Sequence, residues 1–348
     1  MIPVFDGYND TLLSYLENPE RDFFERRDDG HIDFVRAHEG GLAGGFFAVF
    51  PSAPELPGLE GHYLKRDGSR VVTPPPSLDR VKATEKTNAM VSLLLRWAAD
   101  ERGRFRLVKT AAELERAIAD GVFCGILHFE GAEAIDADLA ALDVYHAAGL
   151  RSLGIVWSRS NLFGHGVPFA YPSSPDVAPG LTSHGVRLVR RCNELKIMID
   201  LSHLSERGFW DVAELSSAPL VATHSNAHAL CASSRNLTDE QLAAIKRTGG
   251  VVGLNFNVSF LARDGSRDKD LPLAVMVEHV DHLVDALGLD GVALGSDFDG
   301  ATMPNELSDA SKLQNLVAAL AAAGYSDLDL RKIANGNWLR VLRETWGA

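Results

Sequence analysis

Apolar residues along the chain follow two rhythms. The first is a set of short, nearly continuous runs of Val, Ile, Leu, Phe and Gly, at Pro3–Asp6, Gly44–Phe50, Val122–Phe129, Ser152–Trp157, Ile197–Ser202, Leu220–Thr223, Val251–Phe256 and Val292–Ser296. Runs without polar alternation are expected of strands buried on both faces, as in parallel sheets. The second rhythm is helical. Met90, Val91, Leu94, Trp97 and Ala98 share one helix face, and Leu273–Leu287, Leu313–Ala323 and Asp329–Glu344 are further amphipathic stretches. Thr110–Glu113 and Thr238–Gln241 have capping-box spacing and open helices that reach Ala119 and Lys246. Gly249–Gly250 stops the second of these before the seventh strand.

Strand and helix alternating eight times predict a (β/α)8 TIM barrel, one domain over residues 1–348. An open doubly wound sheet is the rival. No GxGxxG or GxxxxGK[ST] follows the first strand, which weakens its nucleotide-binding versions. Two long loops interrupt the alternation: Pro57–Pro76 after strand 2, a candidate lid, and Pro168–Pro179 after strand 4.

Composition narrows the picture. The 348 residues are 46% hydrophobic and 23% charged, which excludes a disordered chain. Forty-seven acidic against 34 basic residues give a net charge of −13, and no basic stripe is present, so a nucleic-acid partner is not expected. Apolar runs such as Met90–Ala99 stop short of a membrane span. MIPVFDGYND lacks a basic leader and meets an acid at Asp6, so a signal peptide is not expected. Cys124, Cys192 and Cys231 form no CxxC; they read as small buried fillers in a reducing cytoplasm.

In a barrel of this kind the C-terminal strand ends converge on one mouth. Those ends carry Tyr8 and Asp10, then Glu130, Trp157 and Arg159, His203, His224, and finally Asp297 and Asp299. Two imidazoles with several carboxylates and no thiolate suit zinc or a similar metal. A central carboxylate is able to bridge two ions that share one activated hydroxide. Taken singly, His203 or His224 reads as a hydrogen-bonded structural residue; their occurrence together with Asp10 and Glu130 favours ligation. Asp297 is a possible helix cap, with Asp299 the better candidate for that task. His128 reads as structural, and His31, His38, His62, His146, His184, His228, His279 and His282 as surface or packing residues.

These residues lie in blocks with a familiar pattern. DGYNDTLL (6–13), HFEGAEAI (128–135), IDLSHLSERGFWDV (199–212), PLVATHSNAHAL (219–230), SSRNLTDEQL (233–242), VVGLNFNVSFL (251–261), ALGSDFDGA (293–301) and NWLRVL (337–342) follow one another along nearly the whole chain. In this the chain resembles the membrane (renal) dipeptidase family of metallopeptidases, of the amidohydrolase superfamily. The resemblance implies that Asp10 holds one zinc, Glu130 bridges two, and His203 and His224 hold the second. It implies that Arg235 pairs with the terminal carboxylate of a dipeptide and that Asp297 is the general acid/base. It further implies tolerance of a D-residue at the C-terminal position, possible opening of β-lactams, and an assembly that is often a homodimer.

Two departures from the family pattern stand out. Tyr8 occupies the place of the first-strand His ligand, and Trp157 that of a second His used against the scissile carbonyl. His165, in FGHGVPF, either supplies that imidazole from another backbone position or is a plain loop residue; Arg159 is another candidate donor to the oxyanion. For Tyr8 three outcomes are open: phenolate ligation, an aromatic plug that weakens the first metal, or lost activity. The favoured reading is a zinc-dependent dipeptidase with up to two ions per chain and the first site weakened. The rivals are a binding-only relative, a lactone- or amide-cleaving amidohydrolase, and a metal-free glycosidase using Glu130 and Asp297.

Overall fold

In the computed structural model, residues 1–52, 63–64, 69–71 and 74–347 are described. Eight parallel strands form the barrel wall: β1 (Val4–Asn9), β2 (Leu42–Val49), β3 (Phe123–Glu130), β4 (Leu150–Gly154), β5 (Met198–Asp200), β6 (Val221–Ala222), β7 (Val251–Leu254) and β8 (Val292–Leu294). Each pairs with its predecessor, and helices run between most of them. A short strand, Phe105–Leu107, pairs with the first part of β3, where β4 does not reach. The barrel is nearly closed. Asn9 bridges Phe298, Asp10 N–H donates to Phe298 O at 2.8 Å, and Asp297 N–H donates to Tyr8 O at 3.0 Å.

All eight predicted strands are present, with shifted ends. β1 extends past Asp6 to Asn9, because Asn9 still pairs with Phe47 of β2. β4 stops at Gly154 and leaves Trp157 in the following loop. β5, β6 and β8 are shorter than their apolar runs because side-chain carboxylates replace ladder partners there. Asp200 Oδ1 accepts from Ser202 N–H and Thr223 N–H, and Asp6 Oδ1 accepts from Ser296 N–H. The predicted Pro57–Pro76 lid lies mostly outside the described residues, as does His62. Within that stretch Tyr63–Leu64 pairs antiparallel with Arg70–Val71, and Arg70 bridges Tyr171 of the second long loop.

Apolar side chains fill two layers. Between strands and helices, the Arg80–Ala98 helix buries Met90, Val91, Leu94 and Trp97, with Trp97 stacked on Phe23 at 4.3 Å. Inside the barrel, Phe5, Phe46, Ile126, Met198, Val221, Val251 and Ala293 pack onto Trp338. Trp338 belongs to the Asn337–Trp346 helix, and its indole N–H donates to Leu294 O at 3.0 Å. Gly7 is required here, since a Cβ would lie 2.4 Å from Trp338. With the interior filled by hydrocarbon, polar groups gather at the strand C-termini. No helix among the described residues is long and apolar enough to cross a membrane.

Candidate active site

Three strands aim one donor each at a common point. Glu130 is the last residue of β3, and His203 and His224 follow β5 and β6. Glu130 Oε1 lies 2.9 Å from His203 Nε2 and 3.6 Å from His224 Nε2, and the two Nε2 atoms are 3.1 Å apart. The far side of each ring is held by a hydroxyl: His203 Nδ1 by Ser158 Oγ and His224 Nδ1 by Thr223 Oγ1, both at 2.7 Å. Thr223 gives its proton to Asp200 Oδ2 at 2.6 Å and therefore accepts from His224 Nδ1–H. That leaves the Nε2 lone pair of His224 facing the shared point, as a ligating imidazole requires.

The backbone is bent to make this meeting. His203, Asp297 and Asp299 have φ of 68°, 61° and 65°, in the left-handed region that costs non-glycine residues about 1–2 kcal/mol each. Gly300 completes the turn. A Cβ there would stand 1.9 Å from Asp10 Oδ2, so any larger residue would push the Asp10 carboxylate aside.

Charge balance at the site is unusual. Burial lifts the pKa values of Glu130 and Asp10 well above the carboxylate range, each reinforced by other carboxylates close by. Asp297 is also raised by burial, against which Asn255 Nδ2 donates to its Oδ2 at 2.9 Å. Burial and the nearby Arg235 charge push His203 and His224 well below the imidazole range, so both are neutral. Neutral imidazoles beside crowded, dehydrated carboxylates are a donor set that gains from a divalent cation. Glu130, His203 and His224 fit such an ion, with one donor atom from each lying within 4.8 Å of the others.

Tyr8 reaches the same place from β1. Its hydroxyl donates to Asp10 Oδ1 at 3.0 Å, and its ring stacks on His224 at 3.8 Å between centroids. Burial, followed by the charges of Asp10 and Glu130, raises its pKa well above that of a free phenol, so it is the neutral phenol that donates.

Asp10, Glu130, His203 and Asp297 line a cavity of about 440 Å³ with Phe50 and Trp157 on its wall. Arg235 is not itself on that wall but is buried behind Phe260, which is, with its guanidinium 5.8 Å from the ring and donating to Ser225 Oγ and His224 O, both at 3.0 Å. The other two candidates lie elsewhere. Arg159 is fully buried, donating to Glu133 Oε1 at 2.8 Å and Pro51 O at 2.9 Å, and is absent from the cavity wall. His165 is half-buried, its ring paired with Ser160 Oγ at 2.8 Å, and is likewise absent from that wall. Asp299 does not cap a helix. It accepts from Thr11 Oγ1 at 2.9 Å and His31 N–H at 2.6 Å, tying the loop after β8 to the chain after β1. His128 pairs with Ser152 Oγ at 2.8 Å, and Cys124, Cys192 and Cys231 are buried and unbridged.

Sequence reasoning missed Ser158, Asp200, Thr223, Asn255 and His31. Asn255 lies one residue beyond β7 and was legible as a strand-end residue, but an amide carries no titratable signal. His31 had no strand-end position, and its ring accepts from Asp299 N–H at 2.8 Å.

The chain matches the family model for membrane dipeptidase, peptidase family M19, over residues 1–347. It is 50% identical to the crystal structure of dipeptidase AC, a metallopeptidase of family M19, with a TM-score of 0.96 over 100% of this chain and 99% of that one. A metallopeptidase from Rhodobacter sphaeroides, liganded with a phosphinate mimic of the dipeptide L-Ala-D-Ala, is also 50% identical, with a TM-score of 0.96 over 99% of each chain. An uncharacterized protein in the pqqA 5′ region of Klebsiella pneumoniae is 49% identical over 256 residues, 74% of this chain and 94% of its own length. A barrel with an imidazole and carboxylate cluster at its mouth, matched to this family from end to end, makes the chain a dipeptide hydrolase of the membrane dipeptidase family, M19.

Proposed function

We propose that this dipeptidase uses zinc held by Glu130, His203 and His224 to cleave dipeptides with a free C-terminal carboxylate, D-residues at that position included. The observation that carries the reading is the meeting of two hydroxyl-oriented, neutral imidazoles with Glu130 in a buried cavity. The phosphinate mimic of L-Ala-D-Ala bound by the Rhodobacter sphaeroides relative supports the substrate class. When bound, the cation polarises the scissile carbonyl and acidifies a water toward pKa ~7.

The chain's own residues do the rest. Asn255 holds Asp297 Oδ2, which leaves Oδ1 to take a proton from the attacking water and pass it to the departing amine. Burial raises the pKa of Asp297 above that of a free carboxylate, which makes it a stronger base toward that water. Arg235 carries the positive charge for the substrate's terminal carboxylate, which selects short peptides ending near the scissile bond. Tyr8 gives Asp10 a neutral hydrogen bond where the family pattern has an imidazole, so a second ion, on Asp10 and Glu130, is held more weakly than the first.

The test combines metal analysis of the purified protein with a panel of L-L and L-D dipeptides, before and after chelation and zinc addition. Turnover should vanish on chelation and return with zinc. Full activity in the chelated, metal-free protein would overturn the reading.

A further inference from the structure

Five arginines are buried among the described residues: Arg27, Arg36, Arg70, Arg159 and Arg235. Three face an acid, with Arg27 3.2 Å from Asp29, Arg36 2.6 Å from Asp33 and Arg159 2.8 Å from Glu133. Arg70 and Arg235 have no carboxylate within 4 Å among the described residues; Arg70 lines the active-site cavity, and Arg235 lies behind Phe260, which lines it. Arg235 has a task in the reaction proposed above. Arg70 has none.

Arg70 is 4% exposed and lines the same cavity as Glu130, His203 and Asp297. Among the described residues its polar contacts are poor for so buried a cation. One Nη2 donates to Ser259 O at 3.4 Å, its Nε has no hydrogen-bond partner, and its guanidinium lies 5.7 Å from the Tyr171 ring. Asp264 is in electrostatic range but not paired; it accepts from Ser266 N–H at 3.0 Å. Arg267, a second cation, lines the same cavity. A guanidinium taken from water without a counter-charge is costly, and a site that keeps one does so most economically when the ligand brings the anion.

Position identifies which anion. Arg70 touches Ser259, while the adjacent residue, Phe260, covers Arg235. The two guanidinium groups, neither with a carboxylate among the described residues, thus contact neighbouring residues of one short segment of cavity wall. A C-terminal residue with a second carboxylate is a ligand that offers an anion to each.

We infer that Arg70 forms a subsite for a side-chain carboxylate, so that the enzyme selects dipeptides whose C-terminal residue is aspartate or glutamate. This rests on the proposed pairing of Arg235 with the terminal α-carboxylate. The test compares kcat/KM for Ala-Asp with Ala-Asn, and Ala-Glu with Ala-Gln, so that each pair differs in charge but hardly in shape. Losing one side of a buried charge pair costs enough to expect an acid-to-amide ratio of about 30-fold or more in the native enzyme. In Arg70→Gln the ratio should fall to within about threefold of one, and Arg70→Glu should reverse it in favour of C-terminal lysine. A native ratio near one, or a ratio that survives in Arg70→Gln, overturns the inference. Titration of native and variant protein with free aspartate and asparagine, the corresponding products, reads the same discrimination without turnover. If the zinc-loaded enzyme cleaves neither acidic nor neutral dipeptides, the proposed function fails, and the titration still decides the subsite.

Discussion

Tyr8 is hydrogen-bonded to Asp10 and stacked on His224, within reach of every carboxylate of the cluster. Exchanging it for histidine exchanges a hydroxyl donor for a neutral nitrogen ligand. Tyr8→His should therefore raise zinc content per chain above that of the native protein, as read by elemental analysis after dialysis; equal stoichiometry would remove the weakened-site idea. Asp297→Asn keeps the shape and loses the proton relay. Its kcat should fall by about 10²–10⁴, the range for a lost general acid/base, with KM changing much less. Residues of this kind were readable in the sequence because imidazoles and carboxylates at strand ends announce themselves. Ser158, Thr223 and Asn255 were not, since a hydroxyl or amide gains its meaning only from the ring or carboxylate it touches.

At the level of helices and strands, both capping-box spacings form the reciprocal bonds they predict. Thr110 and Thr238 each accept from the N3 backbone N–H, and Glu113 and Gln241 return the bond. Thr238→Ala should cost about 1 kcal/mol of unfolding free energy in a denaturant titration. The Leu273–Leu287 helix carries a less visible device. His279 Nε2–H donates to Leu261 O at 3.0 Å, and its Nδ1 accepts from Ala227 N–H at 3.3 Å, so the buried ring has no room for a second proton. Burial holds its pKa down to about 4, below the ~6.5 of an unfolded chain. The unfolded state thus binds the extra proton first, and this contribution is intact above about pH 6.5 and lost as pH falls through about 4. At full extent that is about 3 kcal/mol, and His279→Gln should flatten the acid side of the stability profile. Strand ends were the less legible part. Hydrophobicity continues past β5, β6 and β8, but Asp200 and Asp6 capture the backbone N–H groups there, and composition alone does not reveal that exchange.

For the molecule as a whole, eight strands and eight sequence blocks located both the barrel and its mouth. What the sequence could not show is how the two ends of the wall join, because the Asn9–Phe298 bridge links residues far apart in the chain. The crowded carboxylates also set a global balance. Glu130 and Asp10 have raised pKa values in the folded, metal-free protein, so the folded state there holds protons that the unfolded state releases. Stability of that form should therefore decline as pH rises from the ordinary carboxylate range near 4, and zinc should offset the decline. Thermal melts with and without chelator should separate further at pH 7 than at pH 5; a constant gap would count against the electrostatic account. Trp338→Ala should cost about 3–5 kcal/mol, since it empties the floor of the barrel beneath Phe46.

That floor has a kinetic corollary. With indole and hydrocarbon filling the lower end, the cavity lies at the strand C-termini, and each released amino acid leaves from the side on which its parent was bound. Entry and exit on the same side favour rebinding of products, so progress curves should bend early as free amino acids accumulate, most of all for those that linger on a guanidinium.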